Sequence, residues 1–299
     1  MSTVLKLFLA TRPAFLTITL LGCLIGLSIP SSRKESMAIN LLAVTLALCI
    51  HAGANLINDY FDHLNGSDEN NRNRISPFTG GSRFIQNHLI KPSEIYQLGF
   101  ALITLSVFIG LYICSQTTWL LIPLGFIGVT AAWTYSAPPL QLMSRGALGE
   151  LSIAIAWSLV VIGFAFMQTT NITYQIIPIG LAYGLMASNI LLINQIPDIE
   201  ADRLAQKLTL AAKSSSHELR AWYTGISIAA YTLQIIGIYF YGIPIQTLIT
   251  LSVLPVFIIC ANQISGVMVR KDAMKKLILN NLVAIHLYSL LLLIGLLWR

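Results

Sequence analysis

The sequence predicts an all-α, polytopic membrane protein, with nine transmembrane helices around a central cavity, its N-terminus in the cytoplasm and its C-terminus outside. Three observations predict this. The chain is 56% hydrophobic and 10% charged, where an average soluble domain is about 25% charged. Nine stretches approach the ~20 mostly apolar residues that cross a bilayer as helix: 14–30, 38–57, 95–115, 119–136, 147–168, 174–194, 222–241, 244–264 and 277–298. With the N-terminus inside, 15 of the 18 Lys and Arg fall in inner segments and only Arg33, Lys34 and Arg299 in outer ones, as the positive-inside rule requires. An even number of spans would spoil that alternation.

Each stretch follows from its residues. The first comes after Lys6 and Arg12 with no small-residue cleavage site, so it is expected as a retained helix rather than a signal peptide. The second, 38–57, runs directly into Asn58-Asp59-Tyr60-Phe61-Asp62, and the sixth, 174–194, into Gln195-Ile196-Pro197-Asp198. The third and fourth stretches, and the seventh and eighth, are joined by tight connections. Before the ninth lie Arg270, Lys271, Lys275 and Lys276, which read as topology anchors. No hydrophilic domain interrupts the series, so residues 1–299 are expected to form one membrane-embedded domain. Cys23, Cys49, Cys114 and Cys260 stand singly inside apolar segments and suggest packing, with no disulfide framework or zinc site. The net charge of +6 lies in loops between spans, where topology accounts for it, so no nucleic-acid partner is expected. The bilayer is the expected partner, and a bacterial inner membrane the expected location.

Acids are rare in this chain, and seven of the 12 fall in two short stretches: Asp59, Asp62, Asp68 and Glu69, then Asp198, Glu200 and Asp202. Ionisable groups at membrane helices are costly and mark functional sites. With the orientation above, both clusters face the cytoplasm at helix C-termini, the negative end of the helix dipole. Carboxylates gathered there need a compensating cation. Mg²⁺ suits hard oxygen ligands and completes its shell with water and substrate phosphates. The clusters also share a pattern. Asn55 and Asn194 each precede an Asp by four residues, and Asp59/Asp62 and Asp198/Asp202 are spaced to share a helical face. The interval of four spans between them hints at a repeat of four helices plus four, with a ninth added. Basic residues lie beside each cluster: Arg72, Arg74 and Arg83, then Arg203 and Lys207. Arg offers bidentate contacts to phosphate oxygens and Lys a point charge. Acids, bases and greasy spans together fit a lipid diphosphate.

These residues resemble the UbiA superfamily of membrane-embedded prenyltransferases over most of the chain. Asn58-Asp59-Tyr60-Phe61-Asp62 matches the family's N-D-x-x-D motif, and Gly66-Ser67-Asp68 looks like the G-x-D form of its 1,4-dihydroxy-2-naphthoate branch. The run 76–83 (S-P-F-T-G-G-S-R) and the run from Asn194 to Lys207 resemble the same branch. Tyr135-Ser136-Ala137-Pro138-Pro139, with Arg145-Gly146 and Gly149-Glu150 behind it, is similar to the family's loop after the fourth helix. The resemblance implies Mg²⁺ held by Asp59, Asp62, Asp198 and Asp202, with Asp68 in the less regular position. It implies a polyprenyl diphosphate bound through Asn58, Arg74, Arg83, Asn194, Arg203 and Lys207. Lys207 and the arginines help draw off pyrophosphate, and an aromatic acceptor takes the prenyl cation, with loss of CO₂ for a dihydroxynaphthoate. Tyr135 and Tyr183 are the candidates for cation–π stabilisation. Asn58 and Asn194 either orient carboxylates or only tie helices together. Gly80-Gly81 is either a phosphate-contacting turn or just a turn. No histidine shows metal-ligand spacing. The rival readings are another aromatic acceptor (4-hydroxybenzoate, homogentisate or a specialised phenol), a terpene cyclase of the same superfamily, and, in a different class, a secondary transporter.

Overall fold

The computed structural model describes residues 2–29, 35–169, 174–265 and 271–298. Arg33, Lys34, Arg270 and Arg299, which enter the charge count above, lie outside the described residues. The elements in order are α1 (Thr3–Ala10), α2 (Pro13–Leu27), α3 (Met37–Leu64), α4 (Ser67–Asn70), α5 (Pro92–Gln116), α6 (Ile122–Thr134), β1 (Arg145–Gly146), α7 (Leu148–Thr169), α8 (Ile176–Gln195), α9 (Ile199–Leu204), β2 (Leu208–Thr209), α10 (Leu210–Lys213), α11 (Ser216–Tyr241), α12 (Leu254–Ile264) and α13 (Lys271–Leu297). The helix ends carry local signals. Ser36 caps α3 by accepting from the Ile39 amide, Ser215 and Glu218 form a capping box at α11, and Pro92 opens α5.

Among the described residues, seven helical segments are long and apolar enough to cross a membrane, and α1 with α2 makes an eighth if the bent pair is one span. The bend is 57°. It falls at Arg12, whose left-handed backbone (φ 57, ψ 60) follows from Pro13, which disfavours the right-handed helical region for the residue before it. The expected stretch 119–136 holds a shorter apolar helix, Trp119–Thr134. The sixth span runs on past its expected end, to Leu204: Pro197 turns the chain through a 3₁₀ segment, Ile196–Asp198, before α9 resumes.

Close helix contacts are made at small residues, as expected where dispersion replaces the hydrophobic effect. A Cβ on Gly184 of α8 would lie 2.0 Å from the Ala154 carbonyl of α7, and one on Gly26 of α2 would lie 2.6 Å from the Val161 carbonyl. The larger core gathers α8, α11, α13 and part of α2 around Tyr183, Tyr223 and Tyr288. Hydrogen bonds cross between its helices: the Tyr223 hydroxyl donates to Asn281 Oδ1 at 2.9 Å, and Asn189 Nδ2 to Ser227 Oγ at 2.9 Å. The four cysteines are free. Helices α2, α3, α5, α6, α7 and α8 surround a cavity of about 620 Å³. On α3 its lining runs from Ala43 to Asp62, about 28 Å of helix at 1.5 Å per residue. Helix α6 has no buried residue and forms a single-layer wall on one side.

Candidate active site

Both acidic segments open into this one cavity. Asp62 and Asp68 come from the end of α3 and from α4, and Asp198 and Asp202 from the kinked end of α8 and from α9; all four line it together with Arg12 and Lys207. Four carboxylates thus face two cations at the polar end. The rest of the lining is largely apolar, with Leu46, Ile113, Leu124, Val160 and Met167 among its residues.

Lys207 joins the two segments. Its Nζ lies 2.9 Å from both oxygens of Asp62 and 3.6 Å from Asp202 Oδ1. It is positioned by a short parallel bridge between β2 and β1, which pairs Arg145 with Leu208 and Gly146 with Thr209. Burial pulls the Lys207 ammonium down, but Asp62 and Asp202 outweigh that and hold it above its ordinary value. Thr209 adds a hydrogen bond to Asp202 at 3.4 Å. Asp59 turns away from the cavity lining: it pairs with Arg12 and accepts the Ser82 amide at 3.0 Å. The two aspartates predicted to share a face of α3 are therefore held by different partners.

The connection from Asn71 to Arg83 spans the two segments. Asp198 accepts Asn71 Nδ2 at 2.6 Å and the Gly80 amide at 3.2 Å, while Arg83 donates to the Asp68 carbonyl. Gly80 and Gly81 both hold positive φ (68 and 71), and a Cβ on Gly81 would lie 2.2 Å from Asp68 Oδ2. This glycine pair lets the backbone approach the carboxylates. Burial, then Asp62 and Asp59, push the Asp68 carboxyl well above its usual range. Burial, then Arg83, pull the Arg74 guanidinium down, with Asp68 and Asp198 acting the other way.

The other predicted residues are placed as follows. Asn58 both orients and ties: Nδ2 donates to Asp62 Oδ2 at 3.1 Å and to Ser136 Oγ at 3.3 Å, in the loop after α6. Asn194 lines the cavity, and its buried Oδ1 has no partner. Tyr135 lines the cavity beside them. Tyr183 does not fit the cation–π expectation. It is fully buried in the main core against Gly22, donates its hydroxyl to the Ile18 carbonyl and is not part of the cavity wall. Arg203 is exposed and gives its Nε to the Ala212 carbonyl at 2.8 Å, bracing α10. Arg74 packs against Gly80, and neither Arg74 nor Arg83 is part of the lining.

Three cavity residues escaped the sequence reading. Arg12 looked like a topology charge, and only the Arg12-Pro13 pair hinted at a bend there. Asn71 carried no signal. His51 lines the middle of the cavity, its Nδ1 2.8 Å from Thr19 Oγ1 and its ring edge-on to Trp157 at 4.9 Å.

Among the described residues, no three Asp, Glu, His or Cys side chains converge as a ready-made metal centre. The donor set still suits Mg²⁺. It consists of hard oxygens arranged in pairs, and Mg²⁺ is usually bound through one or two carboxylates plus substrate phosphates. The excess of carboxylates over cations around the cavity calls for further positive charge.

Known proteins resemble this chain in sequence and in fold. The profile of the UbiA prenyltransferase family matches residues 19–293. The chain is similar to 1,4-dihydroxy-2-naphthoate octaprenyltransferase of Bacillus subtilis (strain 168), 30% identical over 235 residues, which are 78% of this chain and 73% of that protein. It is 25% identical over 197 residues to the enzyme of the same name from Mycobacterium leprae, covering 66% of this chain and 64% of that one. It is 25% identical over 260 residues to 2-carboxy-1,4-naphthoquinone phytyltransferase of Synechocystis, covering 84% and 80%. Its fold is like that of a UbiA homolog from Archaeoglobus fulgidus bound to GPP and Mg²⁺ (TM-score 0.64, 16% identity, 96% of this chain and 99% of that one). The apo UbiA homolog from Aeropyrum pernix K1 is also alike (TM-score 0.68, 17% identity, 99% and 98%).

Proposed function

The chain belongs to the UbiA prenyltransferase family, and from that footing we propose that it transfers a polyprenyl group from its diphosphate to an aromatic acceptor, 1,4-dihydroxy-2-naphthoate, with Mg²⁺ as cofactor. One observation carries the reading: paired carboxylates and two half-buried cations at one end of a cavity whose remaining length is largely apolar. A diphosphate suits the first part and a hydrocarbon tail the second. The names of the similar enzymes support the acceptor, and the Archaeoglobus homolog supports the donor and the metal.

In this reading Asp62, Asp68, Asp198 and Asp202, with Asp59 behind them, hold Mg²⁺. The bound metal supplies charge stabilisation to the departing diphosphate. Lys207 lies between the two segments, where its ammonium meets the charge that develops on the leaving oxygen. Arg74 and Arg83 reach the outer phosphate. The prenyl C–O bond breaks, and its electron pair leaves with pyrophosphate. The allylic cation meets the π-face of Tyr135 and apolar walls that keep water from it. A ring carbon of the acceptor then forms the new C–C bond, and aromaticity returns as the acceptor carboxylate leaves as CO₂. Asn58 holds Asp62 in place throughout.

We further read the chain as one domain that crosses a bacterial inner membrane nine times, N-terminus in, C-terminus out, with the carboxylate end of the cavity towards the cytoplasm. The bias of Lys and Arg supports this. The test of function is an acceptor screen with purified protein, Mg²⁺ and prenyl diphosphates of two lengths, read by mass spectrometry. Prenylated, decarboxylated naphthoquinol is the expected product. Product with 4-hydroxybenzoate or homogentisate alone moves the acceptor, and product without any acceptor replaces transfer by cyclisation.

A further inference from the structure

Asn71 lies three residues beyond Asp68, where the chain leaves the first acidic segment, and reaches across to the second. Its Nδ2 donates to Asp198 Oδ1 at 2.6 Å. A carboxylate only accepts, so this contact settles which end of the amide faces Asp198. The carbonyl end, Oδ1, is buried and has no partner. The residue as a whole is 6% exposed and lines the cavity. Leaving a buried acceptor unpaired is costly, and such an atom in a native fold asks for an explanation.

The surroundings are built around this contact. Gly80 donates its amide to the other oxygen of Asp198 at 3.2 Å. A Cβ on Gly80 would lie 2.8 Å from Asn71 Nδ2 and 2.8 Å from Arg74 Cβ. Any larger residue would displace the amide. One loop therefore grips both oxygens of Asp198 with N–H groups and presents a bare carbonyl beside them. An ionised diphosphate only accepts hydrogen bonds, so it cannot satisfy that atom; a cation or a water can.

We propose that the Asn71 side-chain carbonyl is a further oxygen ligand for the divalent cation on the Asp198 side of the cavity. This rests on the reading above that the aspartates hold Mg²⁺. An amide oxygen is a hard ligand of the kind such cations accept, and it adds no charge where carboxylates are already in excess. Its NH₂ at the same time holds Asp198, so one residue supplies a ligand and orients the next.

The test is Mn²⁺ binding to the full-length protein in detergent, followed by electron paramagnetic resonance with and without a non-hydrolysable prenyl thiolodiphosphate. Asn71→Ala is expected to weaken Mn²⁺ binding about tenfold or more, with the thermal melt showing a folded protein. Asn71→Asp keeps the oxygen and loses the NH₂, and is expected to bind Mn²⁺ at least as tightly as the unaltered chain. If both variants weaken, and the Asp variant more, Asn71 only positions Asp198 and the assignment is overturned. If Asn71→Ala is unchanged while Asp198→Ala loses the metal, the carbonyl meets only water and the assignment again fails. If neither Asn71→Ala nor Asp198→Ala alters Mn²⁺ binding, the metal reading of the aspartates fails with it.

Discussion

In the first acidic segment the carboxylates are held mainly by charge. Asp59 lies against Arg12, and Asp62 takes two contacts from Lys207 at 2.9 Å. In the second, Asp198 is held by the neutral N–H groups of Asn71 and Gly80, and Asp202 meets Lys207 only at 3.6 Å. The spacing of the two segments is alike, but their mechanical support is not. A salt bridge in a low-dielectric site leaves a bare charge when one partner goes. Amide donors weaken more gently, and they leave carboxylate lone pairs open towards the cavity. The first segment is thus expected to be brittle and the second adjustable.

Removing the carboxylates probes both segments at once. Asp59→Ala and Asp198→Ala are each expected to lower turnover by about a thousandfold or more, while the protein still inserts and folds. Radiolabelled prenyl transfer beside a size-exclusion profile checks this, and retained Mg²⁺-dependent turnover in both variants removes the assignment. Lys207→Met attacks the shared cation. It leaves Asp62 and Asp202 facing each other with no cation between them, at an expected cost of about 3 kcal/mol in stability and about a hundredfold in turnover. A melt as stable as that of the unaltered protein contradicts the charge-held picture of the first segment. Gly80→Ala strikes the amide-held segment, because the added Cβ crowds Asn71 and the positive φ is strained. Binding of the prenyl diphosphate is expected to weaken about tenfold, near 1.4 kcal/mol, with fold retained; an unchanged titration means the turn does not hold Asp198. The smallest effect is expected at Tyr183→Phe, which removes a hydroxyl bonded to Ile18 far from either segment. About 1 kcal/mol of stability should go with turnover intact, and a fall in turnover restores Tyr183 to the site.

Much of the site was legible because chemistry forced it into view. Acids at membrane helices are rare, so Asp59, Asp62, Asp68, Asp198 and Asp202 announce themselves. Lys207 was found from its spacing to them. Asn71 and Arg12 were not, because an Asn in a loop and an Arg before a first span are ordinary; only the path of the chain carries them to Asp198 and Asp59. Tyr183 and Tyr135 looked alike as aromatic residues near spans, and burial separates them. The break at Pro197 could be read as a helix end, yet the helix resumes as α9 because the backbone needs only one 3₁₀ turn to go round the missing donor.

Composition and the lengths of the apolar runs by themselves predicted a helical chain for a bilayer, since a run of apolar residues can satisfy its backbone there only as helix or in a closed barrel. They also determined that carboxylates gather in two places. Which partner each carboxylate meets was decided by tertiary structure alone. The partners come from separate elements: Arg12 at a bend, Lys207 just before a two-residue strand, Asn71 in a connection. Contact between residues so far apart along the chain depends on how helices pack, and no local pattern records that.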